Sequence, residues 1–142
     1  MMPRNGSLTD GIQYKGMKFD GINDHLRLED STKADIAGNE MSIDFWVYFD
    51  NFDDGKSYTI VHKESQYSLS VYPGGLITWA DSSDWSYTNF GLHNIGLEVG
   101  KWQHIAVTKN NGIVKIYLNG SEKISKSFGG GITSTKIGRA HV

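Results

Sequence analysis

The sequence predicts an all-β protein, built as a sandwich or barrel of short antiparallel strands. Its composition favours this class, because 17 glycines, two prolines, four Trp, seven Tyr and six Phe among 142 residues suit short strands joined by tight turns. The order of the residues favours it too. Runs of alternating apolar and polar residues recur between turn signals made of Gly, Asn and Asp.

The clearest element is a hairpin in the second half of the chain. Two alternating runs, 102–109 and 113–118, flank Asn110-Asn-Gly112, and an Asn-Gly pair accepts the positive φ of a tight hairpin turn. Side chains alternate between the two faces of a strand, so each run has an apolar face and a mixed face. The apolar face comprises Ile105, Val107, Val114, Ile116 and Leu118, and the mixed face comprises Trp102, His104, Thr108, Lys115 and Tyr117.

A second alternating run covers residues 41–49. Its inward set is Ile43, Phe45, Val47 and Phe49, and its outward set is Asp44, Trp46 and Tyr48. We expect this strand to share a sheet with the 102–118 hairpin. The outward residues of both would then form one aromatic and polar strip.

The other elements are predicted in chain order from their turn signals. Residues 1–16 are interpreted as an N-terminal arm with an edge strand near 12–15. Further strands are predicted at 17–20, 24–29, 57–63, 66–72, 75–80, 85–91, 122–128 and 132–138, and the best helix candidate is the short segment Ser31–Ala37.

Length and charge limit the function classes. A chain of 142 residues suits a single domain, and a net charge of −2 without a basic block argues against a nucleic-acid surface. The sequence has no cysteine, which excludes disulfides, thiolate zinc sites and thiol catalysis. No run is long and apolar enough to predict membrane insertion, and no signal peptide is visible.

Three motifs, in order, resemble a known family. They are Met17-Lys-Phe-Asp-Gly-Ile-Asn-Asp-His-Leu-Arg-Leu28, Met41-Ser-Ile-Asp-Phe-Trp-Val-Tyr-Phe49 and the run from Lys101-Trp-Gln-His-Ile-Ala-Val-Thr108 to Asn119-Gly120. They are similar to signatures of laminin G-like domains in the concanavalin A-like lectin/glucanase superfamily. The resemblance covers residues 17–139 and implies an antiparallel two-sheet β-sandwich, the concanavalin A-like jelly roll. Because that fold hosts lectins, adhesion modules and hydrolases, it says little about function.

The resemblance also divides the chain and leaves one element missing. It implies a 1–16 arm and a 17–142 jelly-roll domain that lacks the usual C-terminal closing strand, because relatives continue past the Ile-Gly step at 137–138. An open strand edge invites pairing with another chain. We therefore expect the arm, a partner subunit or self-association to cover the open C-terminal sheet edge.

Aromatic and polar residues cluster in a pattern suited to sugars. Aromatic rings cover the C–H faces of a sugar, while carboxylate and amide groups hydrogen-bond its hydroxyls. For the loop-rich segment 78–93, the alternative is that the aromatics alternate into the sandwich core. The candidate ligand-binding residues are Trp46, Tyr48, Trp79, Asp81, Asp84, Trp85, Tyr87, Asn89, Trp102, His104 and Tyr117.

One turn carries oxygen ligands suited to calcium. Asp20, Asn23 and Asp24 surround Gly21, and hard oxygen donors of this kind suit Ca²⁺. Several families on the fold that the resemblance implies bind calcium at loop edges. The alternative is a hydrogen-bonded Asx turn.

Catalytic patterns are missing from the sequence. The resemblance implies that a hydrolase would carry an E-x-D-x-x-E or E-x-D-x-E strand, which pairs an acid with a nucleophile. The candidate strand has one carboxylate, Asp44. The five histidines lack metal-binding spacing, and no G-x-S-x-G motif or P-loop occurs.

The sequence therefore predicts a non-catalytic recognition module that binds carbohydrate or a cell-surface glycoconjugate, within an adhesin or surface assembly. The alternative is a structural subunit of a viral (phage) capsid, fibre or tail. Either function implies an extracellular, cell-surface or virion-associated protein, with calcium as the candidate cofactor and with no nucleic-acid partner.

Overall fold

The fold was derived from a computed structural model, which describes residues 2–4, 7–12, 14–28, 38–53, 55–132 and 140–141. The helix candidate at 31–37 and most of the predicted 132–138 strand lie outside these residues. The described elements are β1 (Met2–Arg4), β2 (Ser7–Asp10), β3 (Lys15–Lys18), β4 (His25–Leu28), β5 (Glu40–Tyr48), β6 (Tyr58–Lys63), β7 (Tyr67–Tyr72), β8 (Leu76–Asp81), α1 (Tyr87–Phe90), β9 (His93–Asn94), β10 (Trp102–Asn110), β11 (Ile113–Leu118), β12 (Ser121–Ser127) and β13 (Ala140–His141).

Two antiparallel sheets form the body of the molecule. One has seven strands in the order β1-β4-β13-β6-β7-β8-β9, and the other has four in the order β12-β11-β10-β5. A separate hairpin pairs β2 with β3. The described elements are strands apart from one turn of helix, so the predicted all-β sandwich is confirmed.

The core lies between the inner faces of the two sheets. Ile105, Val107, Val114 and Ile116 of the four-stranded sheet are fully buried, as their alternation predicted. They pack in one cluster with inner residues of β7 and β8, and the inward residues of β5 pack against that cluster. Burial on one face of each strand removes apolar area from water and sets which side chains remain outside.

Local turn chemistry explains the β10–β11 hairpin. Asn111 and Gly112 have φ values of 47° and 76°, which is the left-handed region that a two-residue hairpin turn requires. A Cβ atom on Gly112 would also lie 2.9 Å from the backbone oxygen of Gly129. The turn therefore needs glycine for its conformation and for its close contact.

The predicted strand at 85–91 is wrong. Residues Tyr87–Phe90 form one helical turn, whose N-cap Ser86 accepts the backbone N–H of Asn89 at 3.2 Å through Oγ. Asp84 accepts the backbone N–H of Ser86 at 2.8 Å. These short-range hydrogen bonds compete with strand pairing. The strand was predicted because aromatic residues alternate along 85–91, and that pattern does not reveal such local bonds.

The N-terminal segment also differs from the prediction. A 2.7 Å hydrogen bond from the Gly11 N–H to the Tyr14 carbonyl closes the turn between β2 and β3. Ile12 and Tyr14 lie outside the strands, and Lys15 begins β3. Strand β2 lies before this turn and pairs with β3 after it. Strand β1 pairs with β4, and β13 lies between β4 and β6.

Candidate ligand-binding surfaces

The outer face of the four-stranded sheet carries a row of aromatic side chains. Strands β5 and β10 are paired, with Trp46 opposite His104 and Tyr48 opposite Trp102. The ring centroids lie 5.2 Å and 5.8 Å apart in edge-on contacts. The prediction that the 41–49 strand shares this sheet is therefore confirmed. We call Trp46, Tyr48, Trp102 and His104 the aromatic strip.

Polar groups accompany the strip. His104 Nε2 lies 2.9 Å from Asp44 Oδ2, and the side chain of Asp44 is largely exposed. The backbone N–H of His104 donates to Asn119 Oδ1 at 2.9 Å. The imidazole is thus held between a carboxylate and the indole of Trp46, and a ligand over Trp46 would meet hydrogen-bonding groups at the ring edge.

Tyr117 lies on the same outer face but farther from β5. It is opposite Ala106 of β10 on one side and Glu122 of β12 on the other. Nearby, Lys115 pairs with Glu122 at 2.9 Å. The hydrogen bond and the charge of Glu122 raise the pKa of Lys115. Tyr117 therefore extends the strip on its β11 side.

A groove of about 1270 Å³ opens beside the strip. Trp46, Tyr48 and Trp102 line one part of it, and the β2–β3 hairpin lines another. A Cβ atom on Gly16 would lie 3.4 Å from Cη2 of Trp102, so the hairpin packs close to this indole. Large concave clefts with aromatic walls are the usual places for small ligands.

Several groove residues were not predicted from the sequence. Tyr14, Asp50, Asn51, Lys56 and Tyr58 line the groove together with the strip. Tyr14 comes from the arm, the next three lie between β5 and β6, and Tyr58 begins β6. No local pattern marks them as a group. These residues are far apart in sequence and meet only when the chain folds, so only the tertiary structure identifies them as groove residues.

A second aromatic group lies on the loop after β8. Trp85 and Tyr87 are 42% and 37% exposed. Asp84 accepts a hydrogen bond from Asn89 Nδ2 at 2.9 Å. This bond, followed by the N–H of Ser86, lowers the pKa of Asp84 from 3.8. Four predicted ligand residues, Asp84, Trp85, Tyr87 and Asn89, therefore share this loop.

Two predicted ligand residues are in the core instead. Trp79 and Asp81 are fully buried, and Trp79 Nε1 donates to Asp81 Oδ2 at 2.7 Å. Trp79 also stacks on Tyr67, with ring centroids 6.0 Å apart. Their assignment to an accessible binding site is wrong, because alternation along β8 directs both inward with Ile77.

The predicted calcium turn makes internal hydrogen bonds. Asp20 Oδ1 accepts the backbone N–H groups of Ile22, Asn23 and Asp24 at 2.8, 3.2 and 3.3 Å. The N–H of Ile22 makes the largest contribution to lowering the pKa of Asp20 from 3.8, against an opposing effect of desolvation. This is the geometry of the Asx alternative. In the described ranges, no group of three or more His, Cys, Asp or Glu side chains is placed to hold a metal.

The sequence and the fold agree on a family. Residues 20–140 match the laminin G-like model of the concanavalin A-like lectin/glucanases superfamily. The chain belongs to this superfamily. The resemblance in the three motifs is thereby confirmed, and the aromatic strip is a surface on a concanavalin A-like sandwich. No curated protein matches the sequence.

Solved structures share the concanavalin A-like fold at low sequence identity. Domain 4 of AbnA, an extracellular GH43 arabinanase from Geobacillus stearothermophilus, was solved with arabinotriose and superposes with a TM-score of 0.69 at 19% identity. The match covers 98% of this chain and 66% of that one. The carbohydrate-binding module CBM66 from Bacillus subtilis superposes with a TM-score of 0.51 at 14% identity, covering 99% and 86%. Identities this low show a shared fold alone.

Among the helices of the described residues, none has the length and apolar character needed to span a bilayer.

Proposed function

We propose that the chain is a non-catalytic carbohydrate-binding module whose ligand lies on the aromatic strip. The observation that carries the proposal is the exposure of Trp46 and Tyr48, at 49% and 45%, on the same face of a paired strand. Adjacent large aromatics left open to water form a contiguous apolar patch, and such patches are typical of surfaces that meet a ligand.

The strip is held in place before any ligand arrives. Trp46 packs edge-on against His104, and Tyr48 packs edge-on against Trp102. All four side chains stand on strands whose backbones are hydrogen-bonded to each other. A site on rigid elements loses little conformational entropy on binding.

The chemistry of the strip suits sugars. The ring faces offer apolar surface for C–H groups, and Asp44 and His104 offer a carboxylate and an imidazole at the edge of Trp46. The adjoining groove of about 1270 Å³ has room for more than one sugar residue. The sugar-binding modules of the same fold support this class of ligand.

The strip is less suited to hydrolysis. Most glycoside hydrolases flank one glycosidic bond with two carboxylates. Beside the strip, Asp44 is an outward-facing carboxylate of β5, and His104 engages it. The paired-carboxylate strand motif of such hydrolases is missing from the sequence. We propose binding without cleavage, in a protein that acts outside the cell or on a surface, as part of an adhesin or a larger secreted protein.

A glycan array, followed by native gels containing arabinan, xylan or β-glucan, tests the proposal. We expect the gels to retard the chain, Trp46→Ala to reduce retardation at least about threefold, and Leu92→Ala, an exposed apolar control, to leave it unchanged. Incubation should release no new reducing ends. Absence of binding on array and gels, together with a stable oligomer in sedimentation, would instead favour the structural-subunit alternative.

A further inference from the structure

The loop that carries Trp85 and Tyr87 is fixed at its start by a buried carboxylate. Asp81 accepts hydrogen bonds from Trp79 Nε1 at 2.7 Å, Lys109 Nζ at 2.8 Å and the backbone N–H of Ser83 at 2.9 Å. Ser83 Oγ also donates to Asp81. The two donors of Ser83 tie the start of the loop to this carboxylate, and Trp79 and Lys109 hold the carboxylate itself in place, so the loop leaves β8 in a defined direction.

The loop is fixed at its other end as well. Phe90 is fully buried and packs edge-on against Phe128, with ring centroids 5.2 Å apart. Lys126 Nζ donates to the carbonyls of Asn89 and Phe90 at 2.8 and 2.6 Å. The exposure of Trp85 and Tyr87 therefore belongs to a well-anchored loop, where half-exposed aromatics are characteristic of binding surfaces.

Trp85 lies on the opposite side of the sandwich from the aromatic strip. Its ring centroid is 6.5 Å from that of His62 on β6. On β6 and β7, the paired residues Val61 and Leu69 face the core. His62 follows Val61 and is paired with Ser68, so its side chain points to the other face. His62 thus lies on the outer face of the seven-stranded sheet, whereas the strip is on the outer face of the four-stranded sheet.

We propose that Trp85 and Tyr87 form a second carbohydrate-binding surface, so that one chain bridges two glycan chains. The aromatic rings supply apolar faces for sugar C–H groups. Asp84 and Asn89 supply the carboxylate and amide that hydroxyl groups recognise. The inference rests on the proposed function, since it assumes that the strip binds the same class of ligand.

Single and double variants test the second surface. The wild-type chain, Trp46→Ala, Trp85→Ala, the double variant and Leu92→Ala are run in native gels containing soluble arabinan, xylan or β-glucan. The same proteins are mixed with each soluble polysaccharide and followed by turbidity. Sedimentation of the protein alone checks that each variant is monomeric. This control is needed because a dimer with one binding surface per chain would also cross-link the polysaccharide.

A bivalent chain gives a distinctive pattern. Each single variant keeps partial retardation but loses turbidity, the double variant loses retardation, and Leu92→Ala matches the wild type. If Trp46→Ala abolishes retardation and Trp85→Ala changes nothing, the second surface is refuted and the proposed function stands. If Trp85→Ala alone abolishes retardation, bivalency and the strip are both refuted. Absence of wild-type retardation in all three gels overturns both proposals.

Discussion

Lys109 of β10 and Asp81 of β8 form an ion pair that links the two sheets through the core. Nζ and Oδ2 are 2.8 Å apart, and the two side chains are 1% and 0% exposed. Ser83 Oγ and Trp79 Nε1 complete the surrounding hydrogen bonds. Removing two charges from water is expensive, so such a pair depends on full hydrogen bonding of both partners.

Breaking this pair from one side is expected to destabilise the protein strongly. Lys109→Met leaves the Asp81 carboxylate buried without a cation, which typically costs about 3–5 kcal/mol in the free energy of unfolding. Urea denaturation measures the loss. The double variant Asp81→Leu/Lys109→Met should recover only part of it, because Trp79 Nε1 and the Ser83 N–H lose their acceptor. Lys101→Met, in the exposed Lys101–Glu98 pair, should change little. Wild-type stability for Lys109→Met would contradict this role.

Truncating two tryptophans should reduce the free energy of unfolding by very different amounts. Trp79→Ala empties a fully buried site and is expected to cost about 3–5 kcal/mol. Trp46 is half exposed, so Trp46→Ala should cost less than about 1 kcal/mol. Denaturant unfolding compares the variants with the wild type. A large loss for Trp46→Ala would show that its role is structural and would weaken the binding proposal.

Stability should fall as pH decreases from neutrality toward about pH 5. Burial lowers the pKa of His62 below 6.5, and the charge of Glu64 opposes this only in part. Just below pH 6.5 the unfolded chain then binds more protons at this site than the folded chain, so stability rises with pH in that window and levels off above it. In the His62→Gln variant, the urea concentration at the unfolding midpoint should depend less on pH between about pH 5 and about pH 7.5. If the pH dependence of the midpoint is the same in the variant and the wild type, groups other than His62 cause the loss of stability at low pH.

The Asp20–Asp24 turn should hold its shape without calcium. Asp20 Oδ1 already accepts three backbone N–H groups, and the Asp20 N–H donates to Asp24 Oδ2 at 3.0 Å. We expect the melting temperature to be the same in EDTA and in calcium chloride, and Asp20→Ala to lower it in both. A rise on adding calcium that Asp20→Asn abolishes would support the metal site instead.

Deleting residues 1–15 should cause self-association. The deletion removes β1 from the edge of β4 and β2 from the edge of β3, and uncovered strand edges pair with other chains. Sedimentation velocity measures the oligomers. The full chain carrying Leu8→Asp, which changes an exposed apolar residue of β2, should stay monomeric. A monomeric deletion variant would show that these pairings do not protect the sheet.

Local patterns were sufficient for the orientation of side chains on the regular strands. In β5, β10 and β11 the period of two separated inward from outward residues correctly, because alternation is a property of the strand itself. The same rule failed at Trp85 and Tyr87. There, side-chain hydrogen bonds of Asp84 and Ser86 to nearby backbone N–H groups stabilise a helical turn in place of a strand. Alternation describes which face a side chain takes and does not predict such bonds.

The sequence by itself determined the all-β class, the hairpin at Asn111-Gly112 and the superfamily, because each depends on residues close together in the chain. Only the tertiary structure decided which aromatics are accessible. Trp46 and Trp79 both lie on alternating runs, yet one is half exposed and the other fully buried. The difference arises because the face of a strand that is covered depends on the sheet packed against it, and that contact joins residues far apart in sequence.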